Sequence, residues 1–425
     1  YGTAAEASNW HLTATLDGDE SAAVSGDGTA TEDELFAGTY ALSETLTNSD
    51  LEGQYVAGKW SCTIGGVTTD NLTSVTLKNG DVATCTITNT AIAPKLTLQK
   101  VVVNQAGGTS VFSDWVLKMT QGDTTYEGIT GQIDVTSQVV HEGTWDLSEV
   151  VPTGYEGMYT GVWTCGSATP VTSVDVKLGD NITCTLTNTD KPAALSLTKE
   201  VQNNNGGSAS ASDWSLTADY VGTVPEGTEA ATSLSGEANA SSANMAAGTY
   251  KITESSTVTG YTTTGWDCDG TTVANGGEIT LINGQSLSCK IINTDQPSTL
   301  TLIKNVTNTY GGTLTPADFT LKAENGEFKV EGVSGASGSV PAGTYTLSEE
   351  PKDGYEFVKW ECTSGLTGSA VTIGNGTSVT CTAFNKDKPA ELTLIKEVIN
   401  NNGGTAGEDQ WTLKDPHSTY PKTLV

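Results

Sequence analysis

Residues 93–109, "APKLTLQKVVVNQAGGT", return three times further along the chain. The later copies are "PAALSLTKEVQNNNGGS" at 192–208, "PSTLTLIKNVTNTYGGT" at 297–313 and "PAELTLIKEVINNNGGT" at 389–405. A chain that repeats itself must fold as copies of one unit, and the period fixes the unit's size. The repeated lysines, Lys100, Lys199, Lys304 and Lys396, lie 99, 105 and 92 residues apart, a domain-sized period too long for a solenoid. Each copy is followed by a Trp or Phe segment ("DWVLK", "DWSLT", "DFTLK", "QWTLK"), whose counterpart "NWHLT" opens the chain. A Gly-Thr-aromatic segment comes next ("AGTYALSE", "EGTWDLSE", "AGTYKITE", "AGTYTLSE"), then a Trp-x-Cys segment and a closing Cys segment such as "ATCTITNT". Short Pro-bearing joints divide the 425 residues into 1–93, 94–191, 192–297, 298–389 and 390–425. On this division the first domain lacks the strand that opens every other repeat, and 390–425 is the beginning of a fifth domain.

Within a repeat the apolar residues alternate with period two, and Gly, Asn and Asp clusters separate the runs. No stretch longer than ten residues follows a helical period. Seven or so short strands in about a hundred residues suit an all-β, Ig-like sandwich. Eight cysteines fall two to a repeat: Cys62/Cys85, Cys165/Cys184, Cys268/Cys289 and Cys362/Cys381. The simplest reading is one disulfide per domain, formed in an oxidising compartment. Zinc ligation is disfavoured by the absence of Cys-x-x-Cys and by only three histidines.

Strand parity places three polar residues on the same face as the apolar ones. Lys100 aligns with Leu96 and Leu98, and Lys199 and Lys304 are placed alike. Glu44, Glu149, Glu254 and Glu349 each align with an aromatic and an aliphatic residue. Asn89, Asn188, Asn293 and Asn385 each stand four residues after a cysteine. Buried charge is costly unless paired or neutralised. Burial favours the neutral forms of both Lys and Glu, and a neutral amine is a nucleophile. Attack on the Asn carboxamide, with Glu relaying protons, would release ammonia and leave a Lys–Asn isopeptide bond. Two other readings fit the spacing: a half-buried Lys–Glu pair with Asn serving backbone groups, or an Asn that caps the last strand.

The series "LTLxK", "AGTYxLSE" and "TCTxTNTD" resembles the Cna B-type (SpaA-like, prealbumin-like) domains of Gram-positive surface proteins, and its tandem form resembles actinobacterial examples. The resemblance implies that first and last strands lie side by side and parallel, so that tandem domains form an elongated rod. It also implies isopeptide bonds between Lys100 and Asn188, Lys199 and Asn293, and Lys304 and Asn385, assisted by Glu149, Glu254 and Glu349. The first domain holds Glu44 and Asn89 without a first-strand lysine, and Lys396 stands in the tail without a last strand. Either further repeats continue the array, or the tail strand completes a neighbouring molecule. The cysteine pair departs from pilin domains that rely on the isopeptide alone.

Acidic residues number 50 and basic residues 20, all lysine, giving a net charge of -30. That balance disfavours nucleic acid and anionic lipid as partners. No apolar run is long enough to span a membrane, and no signal-like segment precedes the repeats, so the chain reads as a mature or excised extracellular piece. His11, His141 and His417 never recur at a repeat position, and no nucleophile triad, phosphate loop, metal or cofactor signature is present. Trp60, Trp163, Trp266 and Trp360 recur in register and read as core. The expected role is a structural stalk or fibre on a bacterial surface, self-associating or continued by further repeats, with no enzymatic turnover. The alternatives are a ligand-binding adhesin with specificity in 219–245, and a sortase-assembled pilin subunit using Lys422.

Overall fold

A computed structural model describes residues 1–411 apart from Gly18, Asp33, Ser256 and Thr257. Lys422 and His417 lie outside the described residues. The described chain is built of strands, turns and single 3-10 turns, with no α-helix. It divides into two compact units. One holds 1–198, 215–255 and 265–290; the other holds 199–214, the described part of 256–264, and 291 onward.

The second repeat, wholly in the first unit, is a two-sheet sandwich. One sheet runs Gln138–Val139, Lys95–Val103, Asn181–Asp190, Tyr159–Cys165, Pro170–Val171. The other runs Thr124–Gly128, Val116–Gln121, Gly143–Val150, Ser173–Val176. First and last strands pair in parallel, from Lys95 opposite Asn181 to Val103 opposite Thr189. The alternation of "KLTLQKVVV" buries Leu96, Leu98 and Lys100. Thr97, on the other face, is covered as well, because the neighbouring edge folds over it and the Ser137 N–H donates to its hydroxyl. Leu117, Met119, Trp145, Leu147, Trp163 and Leu186 complete the core between the sheets.

The fourth repeat, in the other unit, has the same plan. Ser298–Thr307 lies parallel to Ser378–Asp387, with Lys304 opposite Ala383 and Val306 opposite Asn385. Its second sheet carries Leu321–Asn325 and Gly343–Glu349. Of the third repeat, the first unit contains the sheet Ser233–Glu237, Ser215–Tyr220, Gly248–Glu254, Glu278–Leu281.

The first repeat differs. Trp10–Leu16, Asp19–Asp27, Gly38–Leu46 and Ser74–Leu77 form one full sheet. The facing layer is in pieces: Val67–Leu72, Trp60–Ile64 and Ala83–Thr86, then a separate pair of Tyr55–Ala57 and Asn89–Ala91. Its last strand is therefore broken at residues 87–88, where the other repeats have ten unbroken residues. The cause is the missing ladder: no strand among the described residues bonds the outer edge of Ala83–Thr86 or Asn89–Ala91. Only Tyr40, Trp60, Cys62 and Val75 are buried among its described apolar residues, against twelve in the core of the second repeat, so its apolar layer is left open.

The tail also differs from the sequence expectation. Residues 388–407 form no strand, and Glu408–Gln410 is a single 3-10 turn. A strand requires a neighbour to exchange hydrogen bonds with, and among the described residues the tail has none.

Candidate functional site at the strand crossing

The four cysteine pairs are disulfides: Cys62–Cys85, Cys165–Cys184, Cys268–Cys289 and Cys362–Cys381. In the first, second and fourth repeats the partners stand directly opposite each other on antiparallel strands. Each of Trp60, Trp163, Trp266 and Trp360 is buried two residues before a bridge.

Further along the same core face lies a polar site. In the second repeat Lys100 comes from the first strand, Asn188 from its parallel neighbour, and Glu149 from the opposite sheet. The Lys100 side chain has no exposed surface, and its Nζ donates to Glu149 Oε2 at 2.7 Å. Asn188 Nδ2 donates to both Glu149 oxygens, at 3.1 and 3.0 Å. The parallel register sets this meeting: Lys100 faces Leu186, so Asn188 is one same-face step away. The fourth repeat is alike, with Lys304 Nζ to Glu349 Oε2 at 2.5 Å and Asn385 Nδ2 to Glu349 Oε1 at 2.6 Å. In both repeats the Asn Oδ1 is buried with no hydrogen-bond partner. Gly161 passes directly over the second-repeat site, where a Cβ would stand 2.6 Å from Asn188 Oδ1.

Burial lowers the pKa of Lys100 and of Lys304, and the adjoining Glu only partly offsets it. Each amine also sits over an aromatic ring, Trp115 or Phe319, at 4.4 Å. In the third repeat Lys199, Glu254 and Asn293 are all buried. Lys199 Nζ lies 4.7 Å from the Trp214 ring and donates to the Glu200 carbonyl. Glu254 belongs to one compact unit and the other two residues to the other. In the first repeat Asn89 Nδ2 donates to Glu44 Oε2 at 3.1 Å. Lys396 lies in the unpaired tail, with its Nζ over Trp411 at 4.7 Å.

The prealbumin-like fold domain family matches residues 1–87, 92–186, 190–291, 295–383 and 387–422. The chain belongs to this family. No curated protein matches it. Solved structures match the prealbumin-like chain at low identity. The Bacillus anthracis TIE protein is 14% identical, with TM-score 0.44, over 88% of this chain and 66% of its own. The pilus adhesin SpaC from Lactobacillus rhamnosus GG is 14% identical, with TM-score 0.26, over 90% of this chain and 57% of its own. The major pilin from Streptococcus pyogenes is 13% identical, with TM-score 0.24, over 46% of this chain and 98% of its own. The prealbumin-like chain thus spans less than two thirds of the first two.

Two features of the site are absent from the sequence reading. One is the aromatic floor: Trp115, Trp214, Phe319 and Trp411 each stand fifteen residues after a repeated lysine, a constant spacing that signals it. The other is the Asp that closes the last strand of the second, third and fourth repeats, where the first repeat has Ala91. Asp190 accepts the N–H groups of Gln105, Ala106 and Gly108, each at 2.8 Å. Asp295 does the same for Asn204, Asn205 and Gly207, and Asp387 for Thr309, Tyr310 and Gly312. The Gly-Gly turn after the first strand is thereby tied to the end of the last strand, next to the Lys and Asn. Segment 219–245 is no free loop. It forms the strands Ser233–Glu237 and Asn239–Met245, and the N–H groups of Glu229 and Ala230 donate to Gln105 of the second repeat. Ala230 and Ala246 are buried against Ala106.

Proposed function

We propose that the chain is a load-bearing segment of a bacterial surface stalk or fibre, whose repeats staple their own entry and exit strands. The observation that carries this reading is the meeting of a buried Lys and a buried Asn on one Glu in the second and fourth repeats. The neutral amine attacks Asn Cγ, the new Cγ–Nζ bond forms, and the Cγ–Nδ2 bond breaks. Glu149 or Glu349 touches both nitrogens, so it takes the proton from the amine and passes it to the departing ammonia. The aromatic floor and the two sheets exclude water, which favours the neutral amine. The reaction happens once per site, so there is no turnover and no enzyme in the usual sense.

The position of the bond suits tension. The first strand is where the chain enters a repeat and the last is where it leaves, and the two are parallel neighbours. A covalent link between them carries a pull along the chain past the hydrogen-bonded sheets. The disulfide lies on the same last strand and holds it to the Trp-x-Cys strand. The cell surface is the setting in which disulfides persist and such a load exists. Glu229, Ala230 and Ala246 pack on the second repeat while much of 221–244 stays exposed, so a ligand-binding adhesin is the second reading.

An intact mass of the unreduced chain tests the chemistry. One ammonia should be missing for each closed repeat, with Lys100–Asn188, Lys199–Asn293 and Lys304–Asn385 peptides. A mass with no ammonia lost would overturn it. Pulling single molecules tests the role: closed repeats should not extend, and their Glu→Ala variants should.

A further inference from the structure

The two outer faces of the second repeat are unlike. On the sheet that carries Glu149, the outward side chains include Glu127, Asp146 and Asp175, all exposed, and Lys118, 3.8 Å from Glu127. On the sheet of the first and last strands, the middle of the outward face carries no charge. Every outward residue of the last strand from 183 to 189 is threonine: Thr183, Thr185, Thr187 and Thr189. The residues paired with them on Lys95–Val103 and Tyr159–Cys165 are only Thr, Gln and Val. Val101 and Val162 both stand opposite Thr187, so an apolar rank crosses three strands at the centre of the face, and the two valines are 44% and 41% exposed. The outward charge on the first strand is Lys95, at its entrance end opposite Asn181.

Solubility does not call for such a face in a chain of net charge -30. The fourth repeat keeps charge on the corresponding sheet, where Lys386 lies 2.8 Å from Glu356 and Lys359 pairs with Glu361. The chemistry of the face selects what covers it. Without charge it offers nothing to a basic or an acidic partner, and without an aromatic ring it gives no platform on which a sugar stacks. Two copies repel each other through their net charge, and here they can meet without setting like charges opposite one another. Threonine hydroxyls both donate and accept, and the methyl groups of Thr and Val interdigitate on a pleated surface, so the face is complementary to itself.

We propose that this face is a contact between two copies of the chain, their second repeats packed face to face about a two-fold axis. Three strands of about seven residues cover roughly 300 Å² per copy, against about 800 Å² for a stable complex. The contact is therefore weak between free chains and takes hold where copies stand close together, as on one surface. The Lys–Asn chemistry plays no part in it, so the contact stands or falls apart from the isopeptide bonds.

The full chain, unreduced, is followed by sedimentation and light scattering from micromolar to about 1 mM. A dimer should grow with concentration and also with salt, because screening relieves the net repulsion, whereas a contact made of ion pairs weakens with salt. Thr187→Lys and Thr187→Glu should each lower the dimer association constant by at least about tenfold, and an equimolar mixture of the two should restore a dimer. Ser148→Glu makes the same charge change on the opposite outer face and should leave the dimer as it is. Should Thr187→Glu lower the thermal midpoint, Val162→Glu, at an already exposed position, repeats the test. A chain that is monomeric throughout, at high salt as well, would overturn the proposal. So would a dimer that these Glu variants on the uncharged face leave intact, or one that Ser148→Glu removes as well.

Discussion

At the scale of single residues, the site is three side chains that make sense together and not apart. Glu149→Ala or Glu349→Ala should each restore one ammonia to the mass. Each should also destabilise its repeat by about 4 kcal/mol or more, since it leaves a buried lysine uncompensated and removes a cross-link over a long loop. Chemical denaturation of the isolated variants checks this. The lowered pKa of Lys100 and Lys304 gives a signed pH dependence. In Asn188→Ala or Asn385→Ala, where no bond forms, the unfolded lysine binds a proton over a window where the folded one does not. Stability should therefore rise with pH from the lowered folded pKa up to the ordinary lysine value of about 10.4, and be lost as pH falls through that window. A chain refolded from denaturant should lose ammonia faster as pH rises through the same window. In the unbonded Asn385→Ala chain, at a pH below the lowered Lys304 pKa, Phe319→Leu keeps an apolar floor, removes the ring beneath the charged amine, and should cost about 1 kcal/mol beyond packing. The Lys, Glu and Asn were legible because strand parity is strict. The floor was legible only as a constant spacing, which has no meaning until the chain has turned back under the lysine.

At the scale of elements, the second, third and fourth repeats are each closed by two devices besides the core: a disulfide to the neighbouring Trp-x-Cys strand, and an Asp that ties the Gly-Gly turn to the last strand. Reduction should cost each repeat about 3 kcal/mol in the chain-entropy model, seen as a lower thermal midpoint with thiol-blocking present. Asp190 is buried and accepts three backbone N–H groups, so Asp190→Ala should cost about 3 kcal/mol. Burial raises the pKa of Asp295 and of Asp387, but the backbone N–H groups outweigh it and hold both below the ordinary value. Their contribution is full above a pH of about 3.9 and is lost as pH falls through the lowered folded value. Acid titration of the chain, followed by exchange of the Gly207 and Gly312 amides, should show the turns opening first. The first repeat shows the converse. Its last strand has the same Cys and Asn spacing as the others, yet breaks where one neighbour is missing.

At the scale of the whole molecule, the joints are hydrogen-bonded rather than bare. Within the first unit, Gly179 N–H donates to Ile92. Asn283 Nδ2 donates to the carbonyls of Ala106 and Lys191, at 3.0 and 2.9 Å. Within the other unit, Asn375 Nδ2 donates to the Gly260 carbonyl at 2.7 Å. Asn283→Ala should leave two carbonyls short of a donor. It should speed hydrogen exchange at Glu229, Ala230 and Ala247, with little effect inside the second repeat's own sheets. The sequence by itself determined the repeat, its strand periodicity, the cysteine partners and the inward face of Lys, Glu and Asn. Those follow from alternation and recurrence along a single strand, which is local information. Only the tertiary structure decided what meets what: the parallel register that sets Asn188 one step from Lys100, the Glu that reaches them from the opposite sheet, and the aromatic ring below. It also decided that residues 233–245 form two strands that join different sheets, and that the tail's "LTLIK" is no strand among the described residues. The physical reason is that a strand and its burial are properties of a pair, and a sequence specifies each member without supplying its neighbour.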